Sequence, residues 1–122
     1  MFARSGFGFI YRAESEDFGS TWSVARPTPL PNNNSGLDAV MTSGGVLALI
    51  YNPVGSNWGP RYPITLAIST DNGESFCDCA ELDTQEGEYS YPAIICNGNR
   101  LYMTYTYKRT SIKYAEAGIV ED

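Results

Sequence analysis

The chain has 122 residues, 43% of them hydrophobic, enough for one globular unit with a core of its own. A formal charge of −6 and a pI near 4.5 argue against nucleic acid and anionic membrane surfaces as partners, while local arginines leave room for a small anionic ligand. Seven prolines, twelve glycines and nine tyrosines favour strands and turns, and no stretch has the length of a transmembrane helix or the pattern of a signal segment.

In chain order, Phe2 to Arg4 and Phe9 to Glu14 predict a hairpin closed near Ser5-Gly6. It runs into the octapeptide Ser15-Glu16-Asp17-Phe18-Gly19-Ser20-Thr21-Trp22. Arg26 to Ser35 holds Pro27, Pro29, Pro31 and three consecutive asparagines, and predicts a connection with no ladder of its own. Gly36 to Met41 and Val46 to Tyr51 predict a second hairpin across Thr42-Ser43-Gly44-Gly45. A long loop, Asn52 to Pro63, then precedes a strand from Ile64 to Ser69, which enters a second octapeptide, Ser69-Thr70-Asp71-Asn72-Gly73-Glu74-Ser75-Phe76.

Cys77 and Cys79 follow in a strand-like run that puts both side chains on one face. With Cys96 they make three, too few for a complete disulfide framework, and a chain without histidine is poorly equipped for a metal site. Reduced, incidental cysteines lean toward a reducing compartment such as the cytoplasm; localisation is otherwise open. After Gly87 the pattern restarts with Ser90 to Cys96, a turn at Asn97-Gly98-Asn99, Leu101 to Tyr107 and Ile112 to Glu116. The alternation from Leu101 to Tyr107 has period two throughout.

The two octapeptides share the pattern S-x-D-x-G-x-[ST]-[WF], and the second starts 54 residues after the first. A repeat of that length made of short strands suits one blade of a β-propeller. The pattern also makes sense as a turn. Gly19 and Gly73 can take positive φ, Asp17 and Asp71 can accept backbone N–H bonds, and Ser15 and Ser69 add hydroxyls for the same purpose. Trp22 and Phe76 are expected to return a ring to the space between neighbouring blades. All eight residues are therefore read as structural.

This motif is the Asp-box, and the chain resembles the sialidase (neuraminidase) superfamily of Asp-box, or BNR-repeat, propellers over Phe2 to Glu116. The resemblance implies an all-β fold, a partial six-bladed β-propeller of the sialidase type. Residues 1–122 would form a single unit of about two to three blades, each a four-stranded antiparallel sheet. Such a wedge exposes strand edges and blade faces, so self-association, or pairing with a missing N-terminal half of the propeller, is expected.

The resemblance also implies a site. The segment Phe2-Ala3-Arg4-Ser5 puts Arg4 at the place of one of the three arginines with which the family clamps its substrate's carboxylate. Arg61, eight residues before Ser69, falls at the place of another. Gly87-Glu88-Tyr89-Ser90 resembles the segment of the nucleophilic tyrosine, with Tyr89 as the match. The implied partner is a glycan ending in an acidic sugar, and no cofactor is implied. The residue types suit that chemistry. An arginine fork gives paired, charge-assisted hydrogen bonds to a carboxylate. A neutral phenol avoids the repulsion a carboxylate nucleophile would meet, which is why sialidases depart from the usual pair of carboxylates.

Each residue also has a structural reading. Arg4 can be a solvated near-terminal arginine, Arg61 a cover for its loop, and Tyr89 a packing residue. Asp38 or Asn34 could stand at the mouth of a funnel, or simply cap a turn. Trp58 and Tyr62 could stack on a sugar or anchor the long loop. Lys108, Arg109 and Lys113 are read as a solvated edge that protects the last strand. Glu88, expected to point away from Tyr89, is a poor base for it. The family's first arginine, acid/base Asp and activating Glu have no candidates in this chain. Two functions follow: a sialidase-like glycoside hydrolase fragment, incomplete or inactive alone, or a non-catalytic Asp-box module that self-assembles and at most binds a glycan.

Overall fold

The structure, a computed structural model, describes residues 1–120, which form ten strands in three antiparallel sheets. The first sheet orders β1 (Phe2–Ala3), β2 (Phe9–Arg12) and β3 (Arg26–Pro31). The second orders β4 (Asp38–Met41), β5 (Leu47–Tyr51), β6 (Ile64–Ser69) and β7 (Cys77–Asp83). The third orders β8 (Tyr89–Asn97), β9 (Arg100–Tyr107) and β10 (Ser111–Gly118). Each sheet is an up-and-down meander, as a propeller blade requires, and the three do not close a ring among the described residues. Among the described residues only the middle blade has the expected four strands; its neighbours have three each.

The middle blade is covered on both faces, and its sequence shows why. Every residue of β5, Leu-Ala-Leu-Ile-Tyr, is buried. Leu49 and Tyr51 join Ile10, Leu30 and Ala67 in one core against the first blade. Ala48 and Ile50 join Ile64, Leu66, Tyr89, Ile94, Leu101, Met103 and Tyr105 in a second core against the third. Fully burying one such aliphatic side chain stabilises by about 1.5–3 kcal/mol. In β9, by contrast, only alternate residues (Leu101, Met103 and Tyr105) are fully buried, because one face of the third blade has no neighbour among the described residues.

The segment Arg26–Pro31 corrects the expectation of a bare connection. It is β3, paired antiparallel with β2 through Pro27 opposite Tyr11 and Pro31 opposite Phe9. Proline lacks an N–H donor and is tolerated here because β3 is the outer edge of its sheet. Thr28 and Leu30 point inward while Pro27 and Pro29 are exposed, and the Thr28 hydroxyl donates to the Ile10 carbonyl at 2.7 Å.

The first Asp-box is the turn between β2 and β3, the second that between β6 and β7, and the two have the same bonding. Ser15 Oγ donates to Asp17 Oδ1 (2.8 Å) and accepts from the Gly19 N–H (2.8 Å), while Asp17 accepts from the Thr21 N–H (2.8 Å) and hydroxyl (2.5 Å). In the second box Ser69 serves Asp71 (2.7 Å) and Gly73 (2.8 Å), and Asp71 accepts from the Ser75 N–H (2.9 Å) and hydroxyl (2.5 Å). Gly19 and Gly73 have φ of +87° and +83°, as only glycine adopts readily. The two aromatic residues diverge. Phe76 packs edge-on against Phe2 at 5.9 Å between blades, as expected. Trp22 instead stays 49% exposed and folds back on its own box, its indole N–H donating to the Gly19 carbonyl at 3.1 Å.

Candidate functional site

Because the strands alternate in direction, the connections sort to two ends. The boxes and the tight turns at 42–46 and 98–99 lie at one end. Five connections (4–8, 32–37, 52–63, 84–88 and 108–110) lie at the other. That second end carries Arg4, Arg61 and Tyr89, although they are far apart in sequence. Neighbouring loops touch there: the Asn32 N–H donates to the Gly8 carbonyl (2.9 Å), and the Trp58 N–H to the Asn33 carbonyl (3.1 Å).

Arg61 and Tyr89 are brought together through their backbones. The Tyr89 N–H donates to the Arg61 carbonyl at 2.9 Å, which joins the long loop of the second blade to the inner strand of the third. The Arg61 guanidinium is largely enclosed, donates to Glu88 Oε1 at 3.1 Å, and sits 5.5 Å from the centre of the Tyr91 ring. Arg4 lies in the loop after β1 and is exposed, with no ion pair among the described residues. Its neighbour Ser5 is anchored through its N–H to Asn32 Oδ1 at 3.0 Å.

Tyr89 is only 1% exposed and belongs to the core between the second and third blades. Its ring lies 6.3 Å from that of Tyr105 and 5.5 Å from that of Tyr107. A Cβ on Gly87 would stand 3.1 Å from the Tyr89 hydroxyl, so glycine at 87 leaves the room above it. Tyr91 is the outward phenol of the same strand, 65% exposed. It has φ of +50° within the irregular register between Ser90 and Ala93. A bulge of this kind re-aims a side chain, and a non-glycine residue at positive φ stores backbone strain.

Glu88 is the electrostatic centre of the cluster. Arg109 donates to both of its carboxylate oxygens, through Nε and, at 3.2 Å, through Nη2, while Arg61 holds Oε1 from the other side. The hydrogen bond from Arg109 and the charges of both arginines outweigh burial and hold the Glu88 carboxyl below its ordinary value. An anion fixed in this way orients arginines.

The basic residues of the last hairpin are therefore not a purely solvated edge. Arg109 belongs to the Glu88 cluster, Lys113 pairs with Asp83 at 2.8 Å, and Lys108 lies 5.4 Å from the centre of the Tyr107 ring. Asp38 does not stand open at a funnel mouth: Oδ2 accepts the Ile94 N–H at 2.9 Å and Oδ1 the Ala39 N–H at 3.0 Å, tying the second blade to the third. Asn34 occupies the left-handed region at φ +64°. Trp58 is exposed at the tip of its loop, and Tyr62 packs against the second core. Arg109 and Tyr91 were invisible as site residues in sequence, since their partners Glu88 and Arg61 are 21 and 30 positions away.

Meander sheets side by side, two of them with Asp-box turns within the sheet and all with their longer loops at one end, define part of a β-propeller. The family description that fits the chain is that of a BNR repeat-like domain, which matches residues 1–103, and the chain belongs to this family. Among curated proteins none matches it.

Proposed function

We propose that this chain is part of a sialidase-like glycoside hydrolase whose loop end receives a terminal acidic sugar. The observation that carries the reading is the fixed placement of the Arg61 guanidinium beside the Tyr89 segment, in a member of the BNR repeat-like family. Arg61 and Arg4 would bind the sugar carboxylate, one guanidinium already oriented by Glu88 and the other free to swing onto the ligand. Tyr89 would attack the anomeric carbon through its phenolic oxygen, giving its proton to a carboxylate base while an acid protonates the departing aglycone oxygen, both supplied from outside this chain. Glu88 is not that base, because both of its oxygens are engaged by arginines.

A second reading is favoured by the enclosure of Tyr89: a module that binds an acidic glycan without cleaving it. In either case the open blade faces need a cover. The first blade exposes Phe7 and Phe9, and the third exposes Ile95, Ile112 and Tyr114. We expect a second copy, or the rest of a propeller, to fill that role.

A fluorogenic sialoside and a titration with N-acetylneuraminic acid separate the readings. Turnover lost in Tyr89→Phe supports the hydrolase. Binding lost in Arg61→Ala, without turnover in the parent chain, supports the module. Neither turnover nor binding at high protein concentration rejects both.

A further inference from the structure

We propose that four buried polar side chains, Asn32, Asn33, Ser35 and Asn52, form a positioning hub that sets the relative placement of Arg4, Arg61 and Tyr89. This inference rests on the acidic-sugar reading above for its functional meaning, while its geometry stands independently.

Connecting segments normally run over the surface, where water serves their polar groups. Here the run Asn32-Asn33-Asn34-Ser35 turns inward, and Asn32, Asn33, Ser35 and Asn52 are all buried. Each then needs internal partners, and a buried polar network restricts the geometries its members can adopt together. The partners are spread over all three blades.

The first arm reaches Arg4: Asn32 Oδ1 accepts the N–H of Ser5, the next residue, at 3.0 Å, and also the Asn34 N–H at 3.0 Å. The second reaches Arg61, because Asn33 Nδ2 donates to the carbonyl of Pro60, the preceding residue, at 2.8 Å and to that of Gly59 at 3.3 Å. The third reaches Tyr89, because Asn52 Nδ2 donates to its carbonyl at 3.1 Å and to that of Pro63 at 2.9 Å. Asn32 Nδ2 closes on the Ser35 carbonyl at 3.3 Å. The Ser35 hydroxyl joins the other two arms. It lies in hydrogen-bonding range of Asn33 Oδ1 and 3.0 Å from Asn52 Oδ1, and its single proton serves one carbonyl at a time.

Every one of the three candidate residues is thus one peptide unit or less from an amide of the hub. The hub side chains are themselves enclosed and do not meet a ligand, so they are positioning residues. Their effect is on the spacing of two arginines and a tyrosine supplied by different blades. A misplacement of about 1 Å in such a constellation can cost roughly a hundredfold in rate.

Amide hydrogen exchange on the full 122-residue chain tests the arms. Asn32→Ala removes the acceptor of the Ser5 N–H and is expected to speed exchange there at least tenfold. Asn33→Ala and Asn52→Ala free the Pro60 and Tyr89 carbonyls on the two sides of the bond from the Tyr89 N–H to the Arg61 carbonyl, and are expected to speed exchange at Tyr89 at least tenfold, in each case ahead of the rest of the chain. Ile64→Val, in the core but outside the hub, serves as a control for general destabilisation. A uniform rise across the chain in the asparagine variants, matching that control, overturns the proposal, since it shows a merely structural role. If the variants do not fold, native-state exchange of the parent chain in low urea decides. The Ser5 and Tyr89 amides should then share one opening with one denaturant dependence, and independent openings overturn the hub. Titration of the same samples with N-acetylneuraminic acid should show affinity at least tenfold weaker in the folded variants. Unchanged affinity beside a binding parent overturns the positioning role. A parent that binds no sugar removes the acidic-sugar reading and leaves the exchange pattern to decide the hub.

Discussion

Gly19 and Gly73 occupy the same position of the same motif, with φ of +87° and +83°, so replacing each with alanine isolates the effect of surroundings. An alanine in the left-handed region is strained by roughly 1–2 kcal/mol. It also restricts the unfolded chain, which returns about 0.4–1 kcal/mol. These contributions are common to both sites and leave a net loss of about 1 kcal/mol at each. The environments then separate them. A Cβ on Gly19 meets nothing nearer than Trp22 Cζ2 at 3.6 Å, an ordinary contact. A Cβ on Gly73 meets Leu47 Cδ2 and Phe2 Cζ at 3.1 Å and Arg12 Nη1 at 3.3 Å.

Those three neighbours resist movement. Arg12 is itself buried, donating to the Asn72 carbonyl at 2.9 Å and pairing with Glu14 at 2.7 Å. Phe2 is wedged against Phe76. Overpacking of this kind adds about 1–3 kcal/mol. Gly19→Ala should therefore lose about 1 kcal/mol and Gly73→Ala about 2–4 kcal/mol. Equilibrium unfolding in urea, with the slope held common, measures both. Equal losses, or a larger loss at Gly19, would show that the second box is not seated against the first blade and would refute the interblade packing.

The two box carboxylates also predict a pH dependence. Hydrogen bonds, those from the Thr21 and Ser75 hydroxyls foremost, lower the pKa of Asp17 and Asp71 from 3.8 to about 2. A depressed folded-state value means the stabilisation is fully present above about pH 4 and disappears as pH falls toward 2. Asp17→Asn and Asp71→Asn should each flatten the fall in melting temperature across that window; a slope identical to that of the parent chain would contradict the assignment. For the open blade faces, static light scattering at micromolar concentration should report a species heavier than 13.4 kDa, whereas a folded, stable monomer would remove the case for a cover by a second copy.

The repeat was legible because its information is local. Ser15, Asp17, Gly19 and Thr21 bond one another within a single turn, and Ser69, Asp71, Gly73 and Ser75 do the same, so residue type and spacing suffice to read them. The strands ending in Met41, Tyr51 and Tyr107 were equally readable from alternation and turn residues. The prolines of Arg26–Pro31 misled because proline forbids a central strand but permits an edge, and edge position is a property of the assembled sheet. Trp22 misled in a similar way: the motif fixes where its backbone leaves the turn, while the space available decides where the ring goes.

By itself, then, the sequence determined the strand-and-turn grammar, the box geometry and the family resemblance, all of which depend on neighbours within a few residues. Tertiary structure alone decided the rest. It placed Glu88 between Arg61 and Arg109, enclosed Tyr89 while exposing Tyr91, and drew Asn32, Asn33 and Asn52 into one buried cluster. Those relations join positions tens of residues apart. Each becomes favourable only once packed blades exclude water and leave the polar groups no partners but one another.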